Sequence, residues 1–243
     1  MNFHIYKTKE ELSDKLALWI CDLINATLQN QEFFTLVLSG GETPKNLFKK
    51  LATEYQEKIN WTKVHFFWGD ERVVSATDER NNAKMAYDIL IDHLEIPASQ
   101  IHVMRTDIEP VFAADEYEKT LHHFFDNTVN SFDLVLLGMG DDGHTLSLFP
   151  NSLLLNEEKK SWVEAVYHEA QNMYRITLMP LIVNRASHIA FMIDGKKKSG
   201  VLKKVIEGPY NPLFLPAQII QPKSGQLHWF LDEDAAKDLN KNN

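Results

Sequence analysis

The sequence predicts an α/β fold, a three-layer α/β/α arrangement built on a mostly parallel, doubly wound sheet. Three observations lead there. Short apolar runs at residues 33–38, 64–68, 132–137 and 189–193 alternate with longer segments of helical periodicity, the pattern of strand–helix–strand units whose sheet is covered on both faces. Two of those runs break directly into turn residues, Ser39-Gly40-Gly41 and Gly69-Asp70. There is no internal repeat, low-complexity stretch or Pro/Gly/Ser-rich linker, so one domain over 1–243 is expected, with a polar tail from about 238.

Each element has a local cause. Thr8 and Glu11 form a capping-box pattern, and Leu12, Leu16, Trp19, Ile20 and Leu23 then recur at helical spacing. Phe33–Leu38 reads as a strand; Thr43 offers an N-cap and Pro44 a first-turn proline for a helix to about Glu54. Val64–Trp68 repeats the strand signal, and a helix carrying Met85, Ile89 and Leu90 ends before Pro97. Pro110 opens a helix with Val111, Ala114, Tyr117, Leu121 and Phe124 on one face, leading into the strand Phe132–Leu137. Further strands are expected at Trp162–Val166, Tyr174–Leu178, Ile189–Ile193 and Leu227–Leu231, with a lysine-rich helix over Lys196–Ile206.

Composition narrows the function classes. Hydrophobic residues make up 44% and charged residues 24%, with no apolar run long enough to cross a membrane, so no membrane partner is expected. The opening MNFHIYKTKEE lacks a basic segment followed by an apolar one, so no secretory leader is expected. One cysteine, Cys21, excludes an internal disulfide and is expected to be a packing residue; a cytoplasmic location follows as the expectation. The net charge of −9 works against a nucleic-acid partner. Lys196, Lys197, Lys198, Lys203 and Lys204 read mainly as a solvated helix face, with one left to meet an anionic small molecule.

The chemistry concentrates at residues 132–150, FDLVLLGMGDDGHTLSLFP, where a strand runs into a glycine-rich, acidic loop. Gly138, Gly140 and Gly143 permit tight turns with exposed N–H groups, beside Asp141, Asp142 and His144. Gly138-x-Gly140-x-x-Gly143 also fits a dinucleotide fingerprint, but Pro150 arrives before a helix can open, which leaves a plain structural turn as the competing explanation. Ser39-Gly40-Gly41-Glu42-Thr43-Pro44 joins a strand to a helix N-terminus, an arrangement suited to phosphate and equally compatible with an ordinary capped turn. It is neither a Walker loop nor a Gly-x-Ser-x-Gly elbow. After the second strand, Asp70, Glu71 and Arg72 offer a guanidinium for phosphate with a carboxylate to hold it, or else a surface ion pair. The other histidines show no metal-ligand spacing, and neither a metal nor a cofactor is expected.

Taken together, LSGGETP, VHFFWGDERVV and LLGMGDDGHTLSLFP resemble the 6-phosphogluconolactonases of the glucosamine-6-phosphate isomerase/lactonase family. Tyr174-Arg175-Ile176-Thr177-Leu178, the stretch Gly195–Leu202 with Lys198, and Pro216-Ala217 with Trp229 are similar to the same pattern, so the resemblance spans nearly the whole chain. It implies a single α/β/α domain that hydrolyses 6-phospho-D-glucono-1,5-lactone in the oxidative pentose phosphate pathway. It further implies His144 as general base, Asp142 orienting it, and Ser39, Gly40, Gly41, Thr43, Asp70, Arg72, Arg175 and Lys198 around the phosphosugar. Two alternatives stay open: an amino-sugar-phosphate deaminase or isomerase, whose loop resembles Asp-Gly-His-Ile-Ala-Phe-Asn-Glu-Pro, and a sugar-phosphate sensor without turnover. Thr145-Leu146-Ser147-Leu148-Phe149-Pro150 lacks the deaminase glutamate, and there is no basic helix-turn-helix segment for a sensor.

Overall fold

The computed structural model describes residues 1–155 and 160–240. Within them the chain runs β1 (Asn2–Tyr6), α1 (Lys9–Thr27), β2 (Phe34–Leu38), α2 (Pro44–Glu54), β3 (Val64–Trp68), β4 (Asp70–Arg72), α3 (Asn82–Ile89), β5 (Ile101–His102) and α4 (Pro110–Phe125). It continues through β6 (Leu134–Leu137), β7 (Val163–His168), β8 (Met173–Leu178), α5 (Pro180–Val183), β9 (His188–Ile193), α6 (Ser199–Glu207), β10 (Gln226–Asp232) and α7 (Glu233–Ala236). A seven-stranded sheet has the order β1-β10-β9-β6-β2-β3-β5 and is parallel throughout. From β2 the chain winds out through β3 to β5, then returns to β6 on the other side of β2. That reversal leaves the loops after β2 and β6 diverging, the place where open α/β sheets admit ligands.

Strand pleating divides the core in two, because successive side chains point to opposite faces. Leu36, Leu38, Phe66, Leu134 and Leu136 join Leu16, Ile20, Leu47 and Met85 from α1–α3 on one face. Val37, Phe67, Val135, Leu137 and Phe191 join Tyr117, Leu121 and Leu202 from α4 and α6 on the other. Residues of β2 and β6 are all buried, which is why their sequence reads as uninterrupted apolar runs. Leu12, Leu16, Ile20 and Ile24 of α1 lose all exposure, and each contributes on the order of 1.5–3 kcal/mol by leaving water. Thr8 caps that helix by accepting from the Glu11 N–H at 3.1 Å, while the Glu11 carboxylate reaches back to the Lys7 N–H at 3.0 Å.

Several expectations change. The segments at 162–166 and 174–178 leave the main sheet and form, with β4, a three-stranded antiparallel sheet in the order β4-β8-β7. Only four residues join β7 to β8, with Asn172 in the left-handed region, and so short a link can connect antiparallel strands but not parallel neighbours. Ile176 and Leu178 pack this sheet onto the core. β1, a half-exposed five-residue edge strand, and the charged β4 were not anticipated from the sequence. Val111 is 62% exposed because the buried stripe of α4 runs through Ala113, Ala114, Tyr117, Leu121 and Phe125, roughly a quarter turn away. Thr43 does not cap α2; its hydroxyl is turned elsewhere. The polar tail is held as far as Asn240, whose N–H and side-chain amide donate to Glu207, while 241–243 lie outside the described residues. No helix among the described residues is long and apolar enough to cross a membrane.

Candidate active site

Loops leaving β3, β2, β6 and β9, four neighbours in the sheet, surround a cleft of about 650 Å3. Ser39, Gly40, Gly41, Thr43, Asp70, Arg72, His144, Arg175 and Lys198 all line it, and Asp142 joins them through His144. Residues up to 159 positions apart in sequence converge here because parallel strands present all their carboxyl ends on one edge.

The β6 loop folds on itself around His144. The Gly140 N–H donates to the His144 carbonyl at 2.8 Å, and the Gly143 N–H donates to the Gly140 carbonyl at 3.1 Å. Asp142 Oδ1 accepts both the His144 backbone N–H, at 3.1 Å, and His144 Nδ1, at 2.6 Å. That contact holds the Asp142 carboxyl far below the usual range, at about 2. With Nδ1 donating to a carboxylate, the neutral ring presents the unprotonated Nε2 as a base. Glycine at position 140 leaves room for this pair, since a Cβ would stand 2.1 Å from His144 Nδ1 and 2.6 Å from Asp142 Oδ1. Phe149 flanks the imidazole, its ring centroid 4.7 Å away, and stacks on His168 at 3.8 Å. Burial, then the Arg175 charge, pushes His168 down.

Around β4 the charges separate in a way the sequence did not reveal. Arg72 is held by neither neighbouring carboxylate: its Nη1 donates to the Arg80 carbonyl at 2.7 Å. Glu71 is fully buried and accepts the backbone N–H groups of Arg72, Asn82 and Ala83 at 2.7–2.8 Å, so it caps the N-terminus of α3 from a neighbouring strand. Burial nonetheless raises its carboxyl to about 7. Asp70 turns toward Arg175, with Oδ2 3.6 Å from Nη1, and Arg175 also donates to Gln171. Burial lowers the Arg175 pKa, with Asp70 opposing the shift.

The β2 and β9 loops complete the cleft. Thr43 Oγ1 donates to Asp194 Oδ1 at 2.6 Å, tying the two loops together. Asn82 packs so closely on Gly40 that a Cβ there would fall 2.0 Å from Asn82 Oδ1, and Asn82 Nδ2 donates to the Asp70 carbonyl at 2.9 Å. Of the three consecutive lysines, Lys198 reaches inward: its Nζ donates to the Met139 carbonyl at 2.7 Å and pairs with Asp141 at 2.8 Å. Lys197 also lines the cleft, whereas Glu42 is drawn to Lys45 at 2.6 Å. Sequence reasoning missed Asn82, Gln171 and Asp194; only Asp194, immediately after an apolar run, carried a signal of the kind used for the other loops.

The family model described as glucosamine-6-phosphate isomerases/6-phosphogluconolactonase matches residues 7–229. The chain belongs to this family. A 6-phosphogluconolactonase of Aggregatibacter actinomycetemcomitans is 36% identical over 238 residues, covering 98% of this chain and 99% of the relative. Another, from Nostoc sp., is 38% identical over 243 residues, with 96% and 98% covered. The solved 6-phosphogluconolactonase of Trypanosoma brucei superposes with a TM-score of 0.85 at 26% identity, over 98% of each chain. Family membership and the observed sheet agree on the α/β architecture expected from the sequence.

Proposed function

We propose that this chain hydrolyses 6-phospho-D-glucono-1,5-lactone to 6-phosphogluconate, a reaction of the oxidative pentose phosphate pathway, with His144 as the general base. The observation that carries this reading is the 2.6 Å Asp142–His144 contact, which orients an imidazole in a cleft also lined by Arg72, Lys198 and the α2 N-terminus. His144 Nε2 takes a proton from water as its oxygen attacks the lactone carbonyl, and Asp142 stabilises the imidazolium. Collapse of the tetrahedral adduct breaks the bond from the carbonyl carbon to the ring oxygen, which receives the proton from His144. The Gly140, Gly143 and His144 N–H groups are already engaged inside the loop, so the oxyanion is met by other donors of the cleft.

The 6-phosphate is assigned to Arg72, Lys198 and the Ser39–Thr43 turn, with Arg175 behind them. Charge-assisted bonds and a helix N-terminus both favour a dianion. The deaminase alternative is not favoured, since Thr145–Pro150 carries no glutamate to move a proton between sugar carbons. We place the reaction in the cytoplasm, where the buried Cys21 stays a thiol. Freshly prepared 6-phosphogluconolactone, followed by acid release above the spontaneous rate, tests the assignment. Background rate alone, or ammonia release from glucosamine-6-phosphate at a comparable rate, would overturn it.

A further inference from the structure

We propose that Ser147 and Asp70 form an anchor that positions His144, and that the Asp70 carboxylate serves the catalytic loop rather than the substrate. This inference rests on the lactonase reading above.

Two residues after His144, the loop turns back toward the antiparallel sheet through Leu146, whose φ of +55° lies in the left-handed region. A branched side chain is disfavoured there and persists only where its surroundings hold it. Leu146 fills the space above Gly69, where a Cβ would come within 2.7 Å of its Cδ2. Both neighbours are fixed. Thr145 Oγ1 donates to the Gly138 carbonyl at 2.8 Å, closing the near side of the loop. On the far side, the Ser147 N–H donates to Thr177 Oγ1 of β8 at 3.1 Å, and Ser147 Oγ donates to Asp70 Oδ2 of β4 at 2.6 Å. Ser147 has no exposed surface, so no water can replace a lost partner at that hydroxyl.

Asp70 lines the cleft, yet its carboxylate is turned to partners within the protein. Oδ2 accepts from Ser147 and faces Arg175, and Oδ1 lies 3.4 Å from Asn82 Nδ2. Its charge would also repel a phosphate. A carboxylate that binds the loop and balances Arg175 accounts for all of these contacts.

The anchor acts through His144, so it governs turnover more than affinity. Ser147→Ala is expected to lower kcat about 10-fold with KM within about 2-fold, since small misplacements of a catalytic group are costly. The fractional loss should be the same on phosphorylated and unphosphorylated gluconolactone. Asp70→Asn is expected to act on the same unit, so the double variant should lose little more than the worse single one. Hydrogen exchange of residues 140–148, measured without substrate, should accelerate in Ser147→Ala and in Asp70→Asn while α1 is unchanged. Unchanged loop exchange in both variants would overturn the anchor, as would a KM increase confined to the phosphorylated lactone with kcat intact. If the native protein shows no lactone hydrolysis, the functional reading falls, and the exchange measurement still decides whether the loop is anchored here.

Discussion

Arg72 and Arg175 stand directly opposite each other in the β4–β8 ladder, and the Nε of each is buried without a hydrogen-bond partner among the described residues. Like charges facing across an antiparallel pair destabilise it, and Asp70 offsets only the Arg175 side. An anion bound in the cleft that both residues line would relieve the rest. Inorganic phosphate or 6-phosphogluconate at about 100 times its Kd should therefore add about 2.7 kcal/mol of stability, roughly 5–10 °C in Tm for a chain of this size. Arg72→Ala should remove most of that rise. A native protein whose melting ignores both anions at saturating concentrations would dissociate the arginines from phosphate recognition.

His144→Ala should lower turnover by about 10²–10⁴, the usual scale for losing a general base, with the fold preserved. Gly140→Ala is a sharper test of geometry, since the new Cβ would displace Nδ1 of His144 or Oδ1 of Asp142. Its loss of kcat should approach that of Asp142→Asn. Circular dichroism with steady-state kinetics checks both, and native turnover in a folded Gly140→Ala protein would count against the pair.

Glu71 gives stability a slope with pH. Its carboxyl is raised by burial from the ordinary 4.5 to about 7, so the folded state holds the proton more tightly than the unfolded chain. The associated stability is complete below pH 4.5 and is lost as pH rises through about 7. Glu71→Gln should flatten that decline, although it gives up one acceptor at the α3 N-terminus. Urea unfolding at pH 5 and pH 8 measures it; a native-minus-variant difference identical at both values would refute the assignment.

A chain of imidazoles far from the cleft has the opposite sign. His4 Nε2 lies 3.2 Å from His228 Nδ1, and His228 Nε2 lies 3.3 Å from His188 Nδ1, linking β1, β10 and β9. Burial pushes all three down, His228 to about 4. Their folded values lie below the ordinary 6.5, so stability is present above pH 6.5 and is lost as pH falls through about 4. His228→Phe, which keeps a ring against Trp19 and Phe230, should reduce the drop in Tm between pH 7 and pH 5. The slope opposes that of Glu71 between pH 4.5 and 6.5, so each is read as a native-minus-variant difference. An equal drop in His228→Phe would exclude the histidines as its source.

The central strands and the loop chemistry were legible because their causes are local. Buried parallel strands demand continuous apolar runs, and Gly138–Pro150 carries its glycines, acids and histidine within one segment, so β2, β3, β6, β9 and His144 all stood out. β1 and β4 did not, since an edge strand and a three-residue charged strand gain their pairing from distant partners, β10 and β8. Asn82 was invisible for the same reason: only the close approach to Gly40 gives it a role.

Charge identity was therefore written in the chain, and charge partnership was not. Reading Asp70-Glu71-Arg72 leads to a local ion pair, yet a strand sends alternate side chains to opposite faces. Glu71 thus turns into the core to cap α3, Asp70 meets Ser147 and Arg175, and the Arg72 guanidinium bonds to the Arg80 carbonyl. Periodicity and turn chemistry act over a few residues and dictate the elements. Which side chains become partners depends on strand order and loop convergence, and those exist only once the sheet has assembled.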